Sequence, residues 1–209
     1  GPRLRREIPL PLPLSADEFE HALRGGALII DVRSKEEYAE GHIPNAIHIA
    51  FGDTYATWLG WLVPPEAQLL FVLDDAPLED VFDESLLVGY EHLGGWLAGG
   101  VDAWGRSGGE LRRTATLDVR TARRQLADGV VALDVREPDE HDFGHIEGAR
   151  HIPLGSLQEG AATLPKDRPL LVYCAHGDRA STAISVLERA GFESIASLAG
   201  GYEAWRREA

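Results

Sequence analysis

The 209-residue sequence has no methionine and a single cysteine, Cys174. One cysteine cannot form a disulfide within the chain, so we expect a reducing, cytoplasmic setting. Lysine and arginine together number 20 against 34 aspartates and glutamates, which gives a net charge of −14. This acidity argues against nucleic acid or an anionic membrane as a partner. No apolar run reaches the roughly 18 residues of a membrane span, so we expect none.

The surroundings of Cys174 indicate a nucleophile. The apolar run Leu170–Tyr173 ends at the cysteine, and a polar loop, Ala175–Arg179, leads into a helical pattern from about 180 to 190. The thiol is therefore predicted to lie at a strand end and to face the N-terminus of a helix, where backbone amides stabilise an anion. The thiolate is the nucleophilic form of cysteine, and Arg179 adds a permanent positive charge. A buried structural cysteine is the alternative, but it would not need such a loop.

The chain contains a domain-sized internal repeat. Several blocks recur 103 positions later: Asp31-Val32-Arg33 as Asp134-Val135-Arg136, Glu37 as Glu140, and Gly41-His42-Ile43 as Gly144-His145-Ile146. The two copies also end alike, with Gly99-Gly100 and Trp104 in the first and Gly200-Gly201 and Trp205 in the second. A repeat of this length predicts two copies of one fold.

Each copy shows short apolar strands alternating with helical patterns. Ser15 and Glu18 form a capping-box pattern that predicts a helix over about 16–24, followed by a strand over 27–30. In the second copy Asp118 is the predicted N-cap of a helix that reaches about Ala127, and the strand covers 130–133. This alternation predicts an α/β fold in which each copy has a central parallel sheet with helices on both faces.

The same patterns divide the chain into four parts. Residues 1–14 are predicted to be an extended lead-in with alternating prolines, and residues 15–104 form the first domain. A Gly-rich polar linker over 105–116 precedes the second domain, 117–209.

The first copy lacks the elements of a reactive site. Its corresponding strand leads into Asp74-Asp75-Ala76-Pro77, which has no cysteine, and an anionic loop is unsuited to a thiolate. We therefore expect this copy to be a scaffold without turnover. Its aromatic stretch, 51–65, contains Tyr55, Trp58 and Trp61 and is interpreted as local core packing or an inter-domain contact rather than a binding site.

The order of these motifs in two copies resembles the rhodanese-like sulfurtransferases, and the resemblance covers nearly the whole chain. In that family only the C-terminal copy of a tandem pair typically keeps the reactive cysteine, which carries a sulfane sulfur as a persulfide and needs no cofactor. The resemblance implies that Cys174 and Arg179 are catalytic and that a loop binds the transferred sulfur, namely Ala175, His176, Gly177 and Asp178.

Other matching positions are expected to be mainly structural. Asp134 and Arg136 match the family's Asp-x-Arg motif near a strand end; they are counted among the substrate-binding candidates, although such a pair also ties loops together. His42 and His145 are interpreted as buried, hydrogen-bonded spacers rather than as acids or bases.

The resemblance leaves the substrates open. Thiosulfate and a low-molecular-weight persulfide are both candidate donors, and cyanide, glutathione and sulfite are candidate acceptors. One alternative is a Cys-based phosphatase or arsenate reductase, which the four-residue spacing from Cys174 to Arg179 disfavours, because phosphatase loops are of the longer Cys-x5-Arg kind. The other is a non-catalytic interaction or regulatory module of a larger sulfide-metabolising protein.

A narrower resemblance concerns the segment from Asp53 to Pro65. It is similar to the first rhodanese copy of proteins that fuse a metallo-β-lactamase-fold persulfide dioxygenase or hydrolase to two rhodanese copies. The absence of a starting methionine fits the C-terminal piece of such a fusion. We expect any metal ligands to belong to that upstream domain, and no metal site in this chain.

Overall fold

The computed structural model describes residues 10–74 and 76–208. The chain divides into two compact units, unit 1 (Gly1–Arg112) and unit 2 (Arg113–Ala209). Each is built on a five-stranded parallel sheet with helices, as the sequence predicted. None of the helices in the described part of the chain has the length and apolar character needed to cross a membrane.

Unit 1 has its strands in the order β1-β5-β4-β2-β3, so β4 lies in the middle. The strands are β1 (Pro13–Leu14), β2 (Leu28–Asp31), β3 (Ile47–His48), β4 (Leu69–Val72) and β5 (Leu93–Leu97). The helices are α1 (Ala16–Arg24), α2 (Lys35–Glu40), α3 (Tyr55–Leu62), α4 (Leu78–Leu87) and α5 (Gly100–Arg106).

Unit 2 repeats this topology with the order β6-β10-β9-β7-β8. Its strands are β6 (Ala115–Leu117), β7 (Val131–Asp134), β8 (Arg150–His151), β9 (Leu170–Tyr173) and β10 (Ile195–Leu198). The helices are α6 (Val119–Ala127), α7 (Pro138–Phe143), α8 (Leu157–Gly160), α9 (Asp178–Arg189) and α10 (Gly201–Arg207), with short 3-10 turns at Leu154–Ser156 and Ala161–Thr163.

Local sequence signals account for the starts of α1 and α6. The Ser15 side chain accepts a hydrogen bond from the Glu18 amide, and the Glu18 carboxylate accepts one from the Ser15 amide at 2.8 Å. Asp118 accepts from the Thr121 amide at 2.7 Å and begins α6 in the same way. Helix α1 has the predicted bounds, whereas α9 begins at Asp178, two residues earlier than the apolar pattern suggested.

Helices cover both faces of each sheet. In β4, Leu70 packs in a cluster with Phe19 of α1, and the alternate residue Phe71 places its ring 5.1 Å from that of Phe82 in α4. Successive strand residues point to opposite faces, so the middle strand is buried on both sides. This explains why the strands read as continuous apolar runs.

The segment predicted to be a lead-in contributes to the sheet. Pro13 and Leu14 form the edge strand β1, which pairs in parallel with Trp96 and Leu97 of β5. The alternating prolines suggested an extended segment outside the fold, but a proline is compatible with an edge strand. Residues 1–9 of the predicted lead-in lie outside the described residues.

The predicted linker, 105–116, is likewise divided among structured parts. Helix α5 extends to Arg106, the Trp104 indole donates to the Glu110 carbonyl at 2.9 Å, and β6 begins at Ala115. The backbones of His42 and Arg112 also bond to each other in both directions at 2.9 Å. The Gly-rich composition predicted a linker without fixed contacts. The backbone hydrogen bonds that hold this segment have no sequence signature, so the composition could not reveal them.

The aromatic stretch of unit 1 forms α3. Tyr55 and Trp58 are buried, and the Tyr55 hydroxyl lies 2.8 Å from the Ser85 hydroxyl on α4. The prediction of core packing is confirmed for these two residues. Trp61, on the same helix, is 48% exposed and does not belong to the core.

Candidate active site

Cys174 is the first residue after β9, the middle strand of unit 2, and its exposure is 2%. The Gly177 amide donates a hydrogen bond to its Sγ at 3.1 Å. Gly177 is the N-cap of the 12-residue helix α9 and has a left-handed backbone with φ 114°, which favours glycine there. The sulfur therefore faces a helix N-terminus, where an amide and the helix dipole stabilise a thiolate.

A second helix, α10, donates hydrogen bonds to the backbone of the cysteine loop. The backbone amide of Tyr202, in the first turn of α10, donates to the Cys174 carbonyl at 2.8 Å. The next amide, of Glu203, donates to the Ala175 carbonyl at 3.2 Å. The Cys174–Gly177 segment is thus fixed by β9 on one side and by the starts of α9 and α10 on the other.

Arg179 is bound by a carboxylate of the same unit. Its Nη1 lies 2.5 Å from Glu140 Oε2 and its Nη2 lies 2.7 Å from Glu140 Oε1, a bidentate pair between α9 and α7. The hydrogen bond from Arg179 lowers the pKa of Glu140, and the same bond raises the pKa of Arg179. The sequence suggested that Asp178 opposes the charge of Arg179, whereas the structure pairs Arg179 with Glu140 of α7.

Asp134 and Arg136 form a buried pair at the end of β7. The fully buried Asp134 carboxylate accepts from Arg136 Nε at 2.9 Å and from Nη2 at 2.6 Å, and Nη2 also donates to the Gly144 carbonyl at 2.8 Å. Burial acts to raise the pKa of Asp134, but the bonds from Arg136 and His141 outweigh it and lower that pKa.

Unit 1 contains the same arrangement without a cysteine. Arg33 bonds to Asp31 at 2.9 and 2.6 Å and to the Gly41 carbonyl at 2.8 Å. The pair is thus present in both units, with and without the cysteine, and in each unit its arginine also bonds to a loop carbonyl. Asp134 is not accessible to a ligand, whereas the Arg136 side chain reaches the cavity described below.

Three histidines of unit 2 form a stack that the sequence did not predict. The His141 ring lies between those of His145 and His151, with centroids 3.9 and 4.1 Å apart, and its Nδ1 is 3.0 Å from the Asp134 carboxylate. In unit 1 the ring of Tyr38 takes the central place, 3.9 Å from His42.

The histidine spacers differ in burial. His42 is buried, with Nδ1 2.9 Å from the Tyr38 carbonyl, as predicted. His145 makes the equivalent contact to the His141 carbonyl at 3.0 Å but is exposed, so its predicted burial is wrong. In unit 1 the backbone of Arg112 pairs with that of His42.

A cavity of about 340 Å³ opens beside the cysteine loop. Its walls include Arg136, Glu140, Phe143, Ala175, Tyr202 and Arg206, and Phe143 is 85% exposed at its edge. Of these residues, the sequence marked Arg136 and Ala175 as site candidates and Glu140 only as a position of the repeat. The repeat alone does not mark Glu140 as a site residue, because Glu37 stands at the same position in a copy that has no counterpart of Arg179.

The sheet register shows what unit 1 has in place of the nucleophile. Asp31 pairs with Val72, and Asp134 pairs with Tyr173, so Leu73 corresponds to Cys174. The following Asp74 carboxylate lies 3.9 Å from Arg33 Nη1. Asp75 lies outside the described residues. Within 10–74 and 76–208, no three or more His, Cys, Asp or Glu side chains are grouped to hold a metal ion.

Comparison with known proteins gives one consistent result. The model of the rhodanese-like domain matches residues 15–107 and again 118–208. The thiosulfate sulfurtransferase GlpE of Ectopseudomonas mendocina is 38% identical over 85 residues, which are 41% of this chain and 78% of that protein. The probable adenylyltransferase/sulfurtransferase MoeZ of Mycobacterium tuberculosis is 36% identical over 103 residues, 47% of this chain and 26% of that protein.

Among solved structures, a rhodanese-related protein from Thermoplasma volcanium is 32% identical, with a TM-score of 0.43, over 46% of this chain and 93% of that one. A thiosulfate sulfurtransferase from Pseudomonas aeruginosa is 20% identical, with a TM-score of 0.42, over 94% of this chain and 42% of that one.

Proposed function

This chain belongs to the rhodanese-like domain family, and from that premise we propose that unit 2 is a sulfurtransferase in which Cys174 carries the sulfur. The observation that supports this most is the Gly177 amide directed at the Cys174 sulfur at the start of α9. The relatives named thiosulfate sulfurtransferase agree with the reaction class. Unit 1, with Leu73 at the equivalent position, serves as a scaffold.

In the first half-reaction the Cys174 thiolate attacks the outer sulfur of the donor. A new S–S bond forms on Cys174, and the S–S bond of the donor breaks with its electron pair leaving on sulfite or on a thiolate. With thiosulfate, one negative charge on the enzyme and two on the donor become one on the persulfide and two on sulfite. Charge is conserved, and neither an oxidant nor a cofactor is required.

In the second half-reaction a thiophilic acceptor attacks the terminal sulfur of the Cys174 persulfide. The acceptor takes that sulfur, and the electron pair of the enzyme S–S bond returns to Cys174 as the thiolate. Cyanide would leave as thiocyanate, glutathione as its persulfide, and sulfite as thiosulfate. These steps form a ping-pong cycle.

The loop stabilises the anion in both half-reactions. The Gly177 amide donates to the Cys174 sulfur at the start of α9, and the family resemblance implies that the amides of Ala175, His176 and Asp178 join it around the added sulfur. Arg179 contributes charge from the side of α9, moderated by Glu140. The single thiol in the chain also fits a cytoplasmic location.

Two other functions have less support. A Cys-based phosphatase needs a guanidinium free to hold a phosphate dianion, whereas two N–H groups of Arg179 are directed at Glu140. Turnover of a phenyl phosphate ester by this chain would favour the phosphatase function. A non-catalytic module would retain its cellular function after Cys174→Ser.

The relation to metallo-β-lactamase-fold fusion proteins rests on the resemblance of the segment from Asp53 to Pro65 alone. In such a protein the upstream domain would produce or consume the persulfide that Cys174 handles. Reading the complete coding sequence of this protein tests that relation directly.

The decisive experiment is intact-protein mass spectrometry after incubation with a sulfur donor. The wild-type chain should gain the mass of one sulfur atom, which cyanide should then remove. Cys174→Ser should gain none, and Leu73→Cys in that background should not restore the gain. Normal sulfur transfer by Cys174→Ser would overturn the mechanism.

A further inference from the structure

We infer that Glu140 is a specificity-determining residue: by pairing with Arg179 it makes the site favour the persulfide of a thiol over the dianion thiosulfate as the sulfur donor. This inference rests on the sulfur-transfer function proposed above and identifies its donor class.

The geometry shows how fully Arg179 is engaged. Both terminal nitrogens of its guanidinium bond to the two oxygens of Glu140, at 2.5 and 2.7 Å. The two side chains are only 20% and 31% exposed, so water screens the pair less than it would a surface pair. A carboxylate held this closely cancels most of the positive field that Arg179 would otherwise exert at Cys174.

The other arginines at the cavity are paired as well. Arg136 bonds to the buried Asp134 at 2.6 Å, and Arg206 bonds to Glu203 at 2.7 Å. Asp139 adds another carboxylate to the cavity wall, and Asp178 follows Gly177 in the loop. Each arginine that lines or borders the cavity is thus matched by a carboxylate of the chain itself.

The two donor classes respond differently to such a site. Thiosulfate brings two negative charges and releases sulfite, which also carries two, so it needs cationic partners on binding and on release. The reacting group of a thiol persulfide brings one charge at most to the sulfur site, because any other charges of the donor lie on its carrier, and it releases a thiolate that water can protonate. The Glu140 carboxylate therefore opposes thiosulfate more strongly than it opposes a persulfide.

Comparison with unit 1 distinguishes the pairing of Glu140 with Arg179 from the role of Glu140 as a helix cap. Glu37 occupies the equivalent position on α2 and accepts from the Ser34 amide at 2.9 Å, as Glu140 accepts from the Glu137 amide at 3.1 Å. The position equivalent to Arg179 is Leu78 in unit 1. Glu37 and Glu140 thus share the cap, and the bond to arginine occurs in the unit that has the cysteine.

The test compares kcat/KM for thiosulfate and for glutathione persulfide in the full chain. Glu140→Gln keeps the shape of the side chain but removes its charge, and it should raise the thiosulfate-to-persulfide ratio about tenfold, the size of one charge-assisted hydrogen bond. Glu37→Gln is the matched control, because it alters the same cap in unit 1 and should leave the ratio unchanged.

A double variant guards against misfolding, since Glu140→Gln leaves Arg179 without its carboxylate. Glu140→Gln combined with Arg179→Gln removes both charges and should return the ratio to within about threefold of the wild type. A ratio that stays at the wild-type value in Glu140→Gln, or equal losses for both donors, would overturn the inference. Failure of both donors to add sulfur to wild-type Cys174 would instead refute the proposed function.

Discussion

Gly201 lies directly against the backbone of Cys174. A Cβ built on Gly201 would come within 2.4 Å of the Cys174 carbonyl oxygen, closer than any side-chain carbon can approach. Gly201 also has φ +60°, the left-handed region that favours glycine. The paired glycines that end each copy of the repeat are therefore required in unit 2 to bring α10 up to the nucleophile.

The first prediction follows from that contact. Gly201→Ala should displace the Cys174 carbonyl and the loop after it, and should lower kcat for sulfur transfer at least about tenfold, because misplaced catalytic groups lose rate steeply. Gly100→Ala in unit 1 is the matched control. Gly100 also has a left-handed backbone, with φ +57°. A Cβ built on Gly100 would, however, meet an Asp74 side-chain oxygen at 2.8 Å rather than a backbone carbonyl of the cysteine loop. Equal activity losses in the two variants would contradict this prediction.

The second prediction concerns the division of labour between the units. Unit 2 has its own core, in which Leu171 and Tyr173 of β9 pack with Val119 of α6. Residues 113–209 expressed alone should therefore fold and retain sulfur transfer, and residues 1–112 should show none. Circular dichroism would establish folding of each fragment, and thiocyanate formation from cyanide would measure activity. Activity confined to the first fragment would refute the assignment.

The third prediction concerns the charges of the loop. Arg179→Ala removes the cation and leaves Glu140 unopposed, so thiosulfate turnover should fall by about 1.5–3 kcal/mol in transition-state free energy, roughly ten- to a hundredfold. Asp178→Asn removes a negative charge and should raise the turnover of thiosulfate relative to the persulfide. Steady-state kinetics with both donors would measure these changes. A donor ratio unaffected by either substitution would mean that cavity shape sets the preference.

The fourth prediction concerns acid stability. Asp134→Asn leaves the buried Arg136 guanidinium without its carboxylate, and should destabilise unit 2 by about 3–5 kcal/mol at pH 7. The pKa of Asp134 is lowered from 3.8, so its stabilising contribution is complete above that pH and is lost as the pH falls through the folded-state value. The difference between wild type and variant should therefore shrink below about pH 3.8.

Hydrogen exchange of the β9 segment would report this stability for unit 2 alone. Asp31→Asn is the control, since it breaks the equivalent pair with Arg33 and should accelerate exchange in β4 instead. A constant difference between wild type and Asp134→Asn down to pH 2 would show that the carboxylate charge is not what stabilises the fold.

Much of the fold could be predicted from the sequence because the signals that specify its helices and strands act between nearby residues. The capping box at Ser15 and Glu18, the apolar strand before Cys174 and the glycine at 177 each act within a few residues. The repeat then extended each local assignment from one copy to the other. These signals placed the thiol at a strand end before a helix, which is where the structure has it.

The arrangement of charge around that thiol was decided by the tertiary structure. Arg179 and Glu140 are 39 residues apart, on α9 and α7, and neither residue type specifies a partner at that distance. His42 is buried in unit 1, where its backbone pairs with that of the distant Arg112, whereas the equivalent His145 is exposed. Hydrogen bonding within a few residues leaves a sequence pattern, whereas ion pairs and burial depend on which elements the completed fold brings together.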